Sequence, residues 1–271
     1  MDERWRADLA LWAIPDEIAA KARTDPWGHS PARFAERTER ALAEPQGPTL
    51  DRVAEALPPG GVLLDVGAGT GAAGLPLAGR MGELVAVDTS PGMLAELESR
   101  AAALGVPLRI VTGRWPDVAP VTPVADVAVC AHVVYNVPDL AAFLTELSGH
   151  ARLRVVVELT ERHPMTWLNP LWAHFHGIVR PDRPTVHDVI AVAEALGHRV
   201  RHEARLAPLS RFATPEGLAE SACRRLCLDP GRADEVVAAA IRLDMWPLPR
   251  ERWFTLWWDT GIGPTSEALP G

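Results

Sequence analysis

The chain has 271 residues, enough for one large domain or a domain with a modest appendage. Hydrophobic residues make up 48% and charged residues 23%, the balance of a globular protein with a sizeable core. The formal net charge is −8 and there is no Lys/Arg block, which argues against a partner such as RNA or DNA held through its phosphates.

Lys21 is the only lysine, and with abundant Ala, Pro and Gly this bias suggests a GC-rich bacterial genome. The N-terminal MDERWRADLALW opens with acids instead of a basic leader, and no apolar run approaches spanning length. A cytoplasmic protein without a membrane partner is therefore expected. Cys130, Cys223 and Cys227 form an odd, sparse set, consistent with a reducing compartment. Cys223 and Cys227 read as small core residues, because no His or Cys spacing completes a zinc set and no metal is expected.

In chain order, residues 3–22 read as a helix broken at Ile14-Pro15, and residues 24–31 as a loop. Further helices are expected over 33–43 and 50–57, and Pro-Pro-Gly-Gly then ends the section. Short apolar runs next alternate with amphipathic stretches. Strands are expected at 62–66, 83–87, 108–112, 125–132 and 153–159, with helices at 72–81, 91–104 and 140–150. Residues 161–184 form an insertion rich in Trp, His, Phe and Pro. A helix at 186–196, a strand at 199–206, two helices within 214–243 and a last strand at 252–258 complete the chain. The pattern predicts an α/β, doubly wound, mostly parallel seven-stranded sheet with helices on both faces. A helical cap over 1–58 would precede a domain over 59–271 that carries insertions at 161–184 and 214–244.

The informative motif is VLLDVGAGTG, residues 62–71, at the junction of the first strand and the next helix. Gly67, Gly69 and Gly71 let the backbone turn tightly and approach a ligand. A helix beginning beyond them would present free N–H groups at the carboxyl end of the sheet. A dinucleotide fingerprint would need Gly67, Gly69 and Ala72. The observed glycines alternate instead, and Asp65 precedes the first by two positions. A carboxylate there repels a pyrophosphate but attracts a sulfonium or an α-ammonium. The second strand ends in Asp88, placed to accept both hydroxyls of a ribose.

Through DVGAGTG, VAVDTSPGML and ADVAVCAHVVYNVPDL, residues 62–159 resemble the class I, Rossmann-like S-adenosylmethionine-dependent methyltransferases. The resemblance implies S-adenosylmethionine as cofactor. It assigns Asp65, Gly67, Ala68, Gly69 and Gly71 to the methionyl part, and Asp88 with neighbouring Thr89 to the ribose. Ser90 and Met93 would lie near the adenine, and Cys130 and Ala131 would begin the wall along the methionyl side. RWFTLWW fits the single antiparallel strand of that family. Where many members place an acid or amide against the adenine, this chain has Arg114 and Trp115, with Asp117 following.

Methyl transfer needs alignment above all, and a base only where the acceptor carries a tightly held proton. His132 and Tyr135, just beyond the fourth strand, are the candidate catalytic residues, with Asn136 beside them on the acceptor. Glu158, ending the fifth strand, is either a pocket group or a cap. Trp167, Trp172, His174, Phe175 and His176 suggest an aromatic lid over the acceptor. Trp12, Ile14, Pro15, Trp27 and His29 either cover the acceptor or pack helices onto the sheet. Trp246, Trp253, Trp257 and Trp258 are assigned to the core or a dimer surface, so a homodimer is one partner to consider. The expected activity is methyl transfer to a small-molecule acceptor; the rival is a non-catalytic protein that only binds the cofactor.

Overall fold

Apolar runs that are buried on both faces form the centre of the sheet. In the computed structural model, which describes residues 2–28 and 31–261, these runs are β1 (Gly61–Val66), β4 (Ala125–Ala131) and β5 (Ala151–Thr160). They are flanked by β2 (Met81–Asp88), β3 (Leu108–Thr112), β6 (Arg201–Leu206) and β7 (Arg252–Asp259). The order across the seven-stranded sheet is β3-β2-β1-β4-β5-β7-β6. His29 lies outside the described residues.

The sheet is mixed, which corrects the expectation of a mostly parallel one. β1 to β5 pair in parallel, whereas β7 runs antiparallel to both β5 and β6. The cause is connectivity. The chain leaves β6, builds two helices, and re-enters at the same end of the sheet, where Arg252 pairs with Leu206, so no right-handed crossover is formed.

Ten helices are described: α1 (Asp2–Ala10), α2 (Asp16–Ala19), α3 (Pro31–Ala43), α4 (Pro48–Ala56), α5 (Pro91–Leu104), α6 (Leu140–Gly149), α7 (Asn169–His176), α8 (Val186–Ala195), α9 (Pro215–Arg225) and α10 (Ala233–Arg242). One face of the sheet buries Leu64, Val85 and Val157 against Trp5 of α1, Phe143 of α6 and Val189 of α8. The other buries Leu63, Leu84 and Val156 against Val53 of α4 and Leu97 of α5. A third core joins α2, α7, α9 and α10 through Ile18, Trp172, Leu218 and Val236.

α5 follows its local signals closely. Ser90 caps it by accepting from the Met93 N–H, Pro91 begins it, and left-handed Gly105 ends it. The helix expected over 72–81 does not form; only a 3-10 turn at Leu75–Leu77 stands there. Pro76 lacks an N–H and Gly74 and Gly79 flank it, so an α-helix would lose both propensity and a hydrogen bond. No helix among the described residues is long and apolar enough to cross a membrane.

Candidate active site

β1 delivers the glycine loop to the carboxyl edge of the sheet. At Gly67, with φ 75°, a Cβ would meet Val133 Cγ2 at 2.2 Å, so only glycine lets the loop lie against the segment after β4. The Gly69 N–H donates to Asp88 Oδ2 at 2.8 Å, and the Ser90 N–H donates to Asp88 Oδ1 at 2.8 Å. Asp88 therefore ties the loop to the end of β2. The 3-10 turn after the loop removes the expected helix terminus, and Asp88 organises the loop in its place.

Asp65 is buried beneath the loop, and neither of its carboxylate oxygens has a hydrogen-bond partner. Burial and the Asp88 charge push its pKa up to about 7, against the pull of the nearby Gly74 N–H and Arg37. With only the Gly74 N–H and Arg37 to offset it, this buried carboxylate is costly in the free protein, and it suits a cationic ligand.

α3 lies over the loop. The Thr38 and Thr70 hydroxyls are 2.6 Å apart, and both reach the Phe34 carbonyl, at 3.2 and 3.0 Å. The Phe34 ring lies 3.5 Å from where a Gly69 Cβ would be.

One turn along α3, Arg37 joins a charged cluster at the end of β5. Glu158 Oε1 stands 3.0 Å from His132 Nε2 and 3.3 Å from Arg37 Nη2. Its Oε2 accepts from the Thr49 hydroxyl at 2.6 Å and from Arg205 Nη2 at 3.3 Å. Both guanidiniums lie over the Trp253 ring, at 5.4 and 5.3 Å, and His132 meets that ring edge-on at 4.6 Å. Burial opposes ionisation of Glu158, but His132, Arg37 and Thr49 together hold its carboxyl well below the usual range. Burial and Arg37 push the His132 imidazole down, so it is neutral near pH 7. The His132 backbone is left-handed, with φ 59°. That conformation turns the chain sharply away from β4 and aims the ring at Glu158.

Tyr135 faces elsewhere. Its hydroxyl donates to the Thr160 carbonyl at 2.9 Å, and its ring lies parallel to Trp5 at 5.8 Å. Burial, with Asp188 and Glu161, pushes its pKa up, so it holds its proton. Asn136 is exposed. Trp115 is buried in the core with its Nε1 donating to the Phe143 carbonyl at 3.2 Å, while Arg114, Asp117 and Thr89 are exposed. Cys130 is wholly buried on the α6 face, so its side chain belongs to the core. Ala68 is buried within the loop, and Ala131 and Met93 are half-buried beside it.

The aromatic residues divide into two groups. Trp12 stacks on His163 at 3.9 Å, and with Trp27, Met165 and Trp172 it lines a small cavity of about 10 Å³. Phe175 and His176 line a separate open groove of about 400 Å³, while His174 contacts Arg242. Trp167 packs on Phe212. Trp253, read as core or dimer surface, instead supports Arg37, Arg205 and His132.

Arg37, Arg205 and Thr49 were not recognisable from sequence as part of this cluster. The single available signal was Glu158 itself, a charge interrupting the apolar run VVVEL.

Residues 63–152 match the family described as "Methyltransferase domain". No curated protein sequence matches the chain. Among solved structures it is similar to the YcgJ protein of Bacillus subtilis, with TM-score 0.55 and 15% identity over 82% of this chain and 98% of that one. A cyclopropane-fatty-acyl-phospholipid synthase-like protein from Lactobacillus casei gives TM-score 0.56 at 17% identity, covering 90% and 98%. Magnesium protoporphyrin IX methyltransferase from Synechocystis, solved with bound SAH, gives 0.52 at 13%, covering 86% and 90%. At such identities the likeness is one of fold.

Proposed function

We propose that this chain is a class I S-adenosylmethionine-dependent methyltransferase that transfers the methyl group to a small-molecule acceptor held beneath its own N-terminal helices. The observation that carries the acceptor class is the roof. α3 lies directly on the glycine loop through Thr38 and Thr70, so an acceptor must fit inside the cover. The net charge of −8 supports the exclusion of nucleic acid. Three free cysteines support a cytoplasmic setting, and the Arg-rich, Lys-poor composition a bacterial one.

The residues fit the cofactor. The partnerless carboxylate of Asp65 suits a cationic methionyl end, and Asp88 retains lone pairs for ribose hydroxyls beyond its two backbone donors. When bound, S-adenosylmethionine supplies a methyl group on a sulfonium, open to in-line displacement. The protein aligns the partners and shuts out water. His132 takes the acceptor's proton, since it is neutral near pH 7 and its Nε2 stands 3.0 Å from Glu158.

The test is methyl transfer from labelled S-adenosylmethionine in the presence of a broad set of small hydroxyl and amine compounds. Label passing into one of them supports the proposal; label passing only into protein or RNA overturns it.

Asp88→Ala is expected to weaken S-adenosylhomocysteine binding by about 1.5–3 kcal/mol, because ribose contacts and the loop anchor go together. Titration calorimetry reads this directly, and unchanged affinity would remove Asp88 from the site. Asn tolerates the left-handed backbone at position 132, so His132→Asn is the cleaner variant there. It should lower kcat on a hydroxyl acceptor roughly 100-fold or more, with cofactor affinity unchanged. The acid limb of the wild-type kcat/KM profile should fall below the ordinary imidazole pKa of 6.5, because the group is pushed down.

A further inference from the structure

The small cavity between the N-terminal segment and α7 is lined by Trp12, Trp27, Met165 and Trp172, and two of its wall residues are Arg180 and Arg225. Arg180 is 7% exposed, and its guanidinium carbon lies 4.2 Å from the centre of the Trp172 ring. Nη1 donates to the Leu11 and Ala13 carbonyls, at 2.9 and 2.8 Å. Nε and Nη2 are buried and have no hydrogen-bond partner. In a guanidinium these two nitrogens share one edge and point their N–H bonds the same way. That edge is the fork that grips a carboxylate with two parallel hydrogen bonds.

No hydrogen-bond acceptor among the described residues meets the fork. Burial alone acts on the Arg180 pKa, with no carboxylate opposing it. The field around it is positive: burial together with Arg180, Arg211 and Arg225 pushes nearby His163 down to about 3. His163 lies five residues beyond Glu158 and meets Tyr135 edge-on at 5.5 Å, which places this chamber next to the segment following β4.

We infer that Arg180 is the carboxylate-binding residue of the acceptor pocket, and that the acceptor is an organic carboxylate with a flat, apolar body that fits among Trp12, Trp27 and Trp172. This rests on the methyltransferase reading and adds the chemical class of its substrate. At about 10 Å³ the cavity has room for about one water molecule, so an acceptor reaches the fork only when the N-terminal segment swings out. That segment is fastened by the same arginines. Arg225 Nη1 donates to the Pro26 carbonyl at 3.2 Å, and Trp27, 42% exposed, stands at the mouth. The ligand's carboxylate and the lid thus share their anchoring residues.

The test is calorimetry on the full-length protein saturated with S-adenosylhomocysteine, titrated with benzoate, phenylacetate and indole-3-acetate and with their three neutral amides. At least one carboxylate should bind about tenfold or more tightly than its amide. Arg180→Gln should abolish that preference while S-adenosylhomocysteine affinity stays within about twofold. If the Gln variant loses S-adenosylhomocysteine binding, Arg180→Lys takes its place: it keeps the charge without the fork and should also lose the preference. Carboxylates binding no better than amides, an undiminished preference in the Lys variant, or full competition by inorganic phosphate would each overturn the inference. Failure of wild-type protein to bind S-adenosylhomocysteine would overturn the methyltransferase reading itself, a result distinct from these.

Discussion

Asp65→Asn is expected to stabilise the free protein and to weaken its hold on S-adenosylmethionine. The Asp65 carboxylate is buried without a hydrogen-bond partner, and its pKa is raised from an ordinary 3.8 to about 7. Between about pH 4 and pH 7 the unfolded chain has released a proton that the folded protein keeps. Wild-type stability attributable to this group therefore falls as pH rises through that window, and the penalty is constant above it. Asn carries no charge to desolvate, so the variant should gain roughly 2–4 kcal/mol above pH 7 and lose that slope. Urea denaturation followed by circular dichroism from pH 5 to 8 measures both. Affinity for S-adenosylmethionine should drop about tenfold or more, because the cation that would compensate Asp65 has lost its partner. A variant that is less stable than wild type at pH 8 would show that Asp65 is satisfied in the free protein.

Glu158→Gln should act in the opposite sense. Glu158 answers Arg37, Arg205, His132 and Thr49 at once, and its removal leaves the two guanidiniums over Trp253 without their shared carboxylate. Breaking a fully buried ion pair costs about 3–5 kcal/mol. The Arg37 and Arg205 side chains are 32% and 29% exposed, so solvent screens part of this and about 2–3 kcal/mol is expected. Because the Glu158 pKa is depressed, its stabilisation is present above the ordinary value of 4.5 and is lost as pH falls towards the lower folded one. The difference between wild type and variant should therefore be constant from pH 6 to 8, roughly, and shrink on acidification. His132 should also lose its orientation, so kcat on a hydroxyl acceptor should fall more than cofactor affinity. Equal stability at pH 7 would mean that the two arginines do not depend on Glu158.

These two carboxylates lie on the same face of the sheet, one near the end of β1 and one near the end of β5, but they were not equally legible. Asp65 was legible from sequence because its chemistry is local: it sits two residues from Gly67 in a motif whose backbone turn fixes its place. Glu158 was legible only as an unusual charge. Its partners come from α3, α4, β6 and the turn after β4, as much as 121 residues away.

Local sequence determined the strand–helix alternation, the ends of α5, and the glycine loop with Asp88, because each depends on backbone propensity, capping or apolar periodicity within a few residues. One local inference failed for a local reason, since Pro76 between Gly74 and Gly79 leaves a 3-10 turn where a helix was expected. The antiparallel direction of β7 matches the strand that the resemblance implied for RWFTLWW, whereas only the tertiary structure decided that α3 roofs the loop and that Trp253 supports two arginines. The same holds for Arg180, whose unpaired fork follows from carbonyls 167 and 169 residues away taking one nitrogen and none taking the other edge. Whether a buried polar group is satisfied depends on everything packed around it, and that information is distributed along the whole chain.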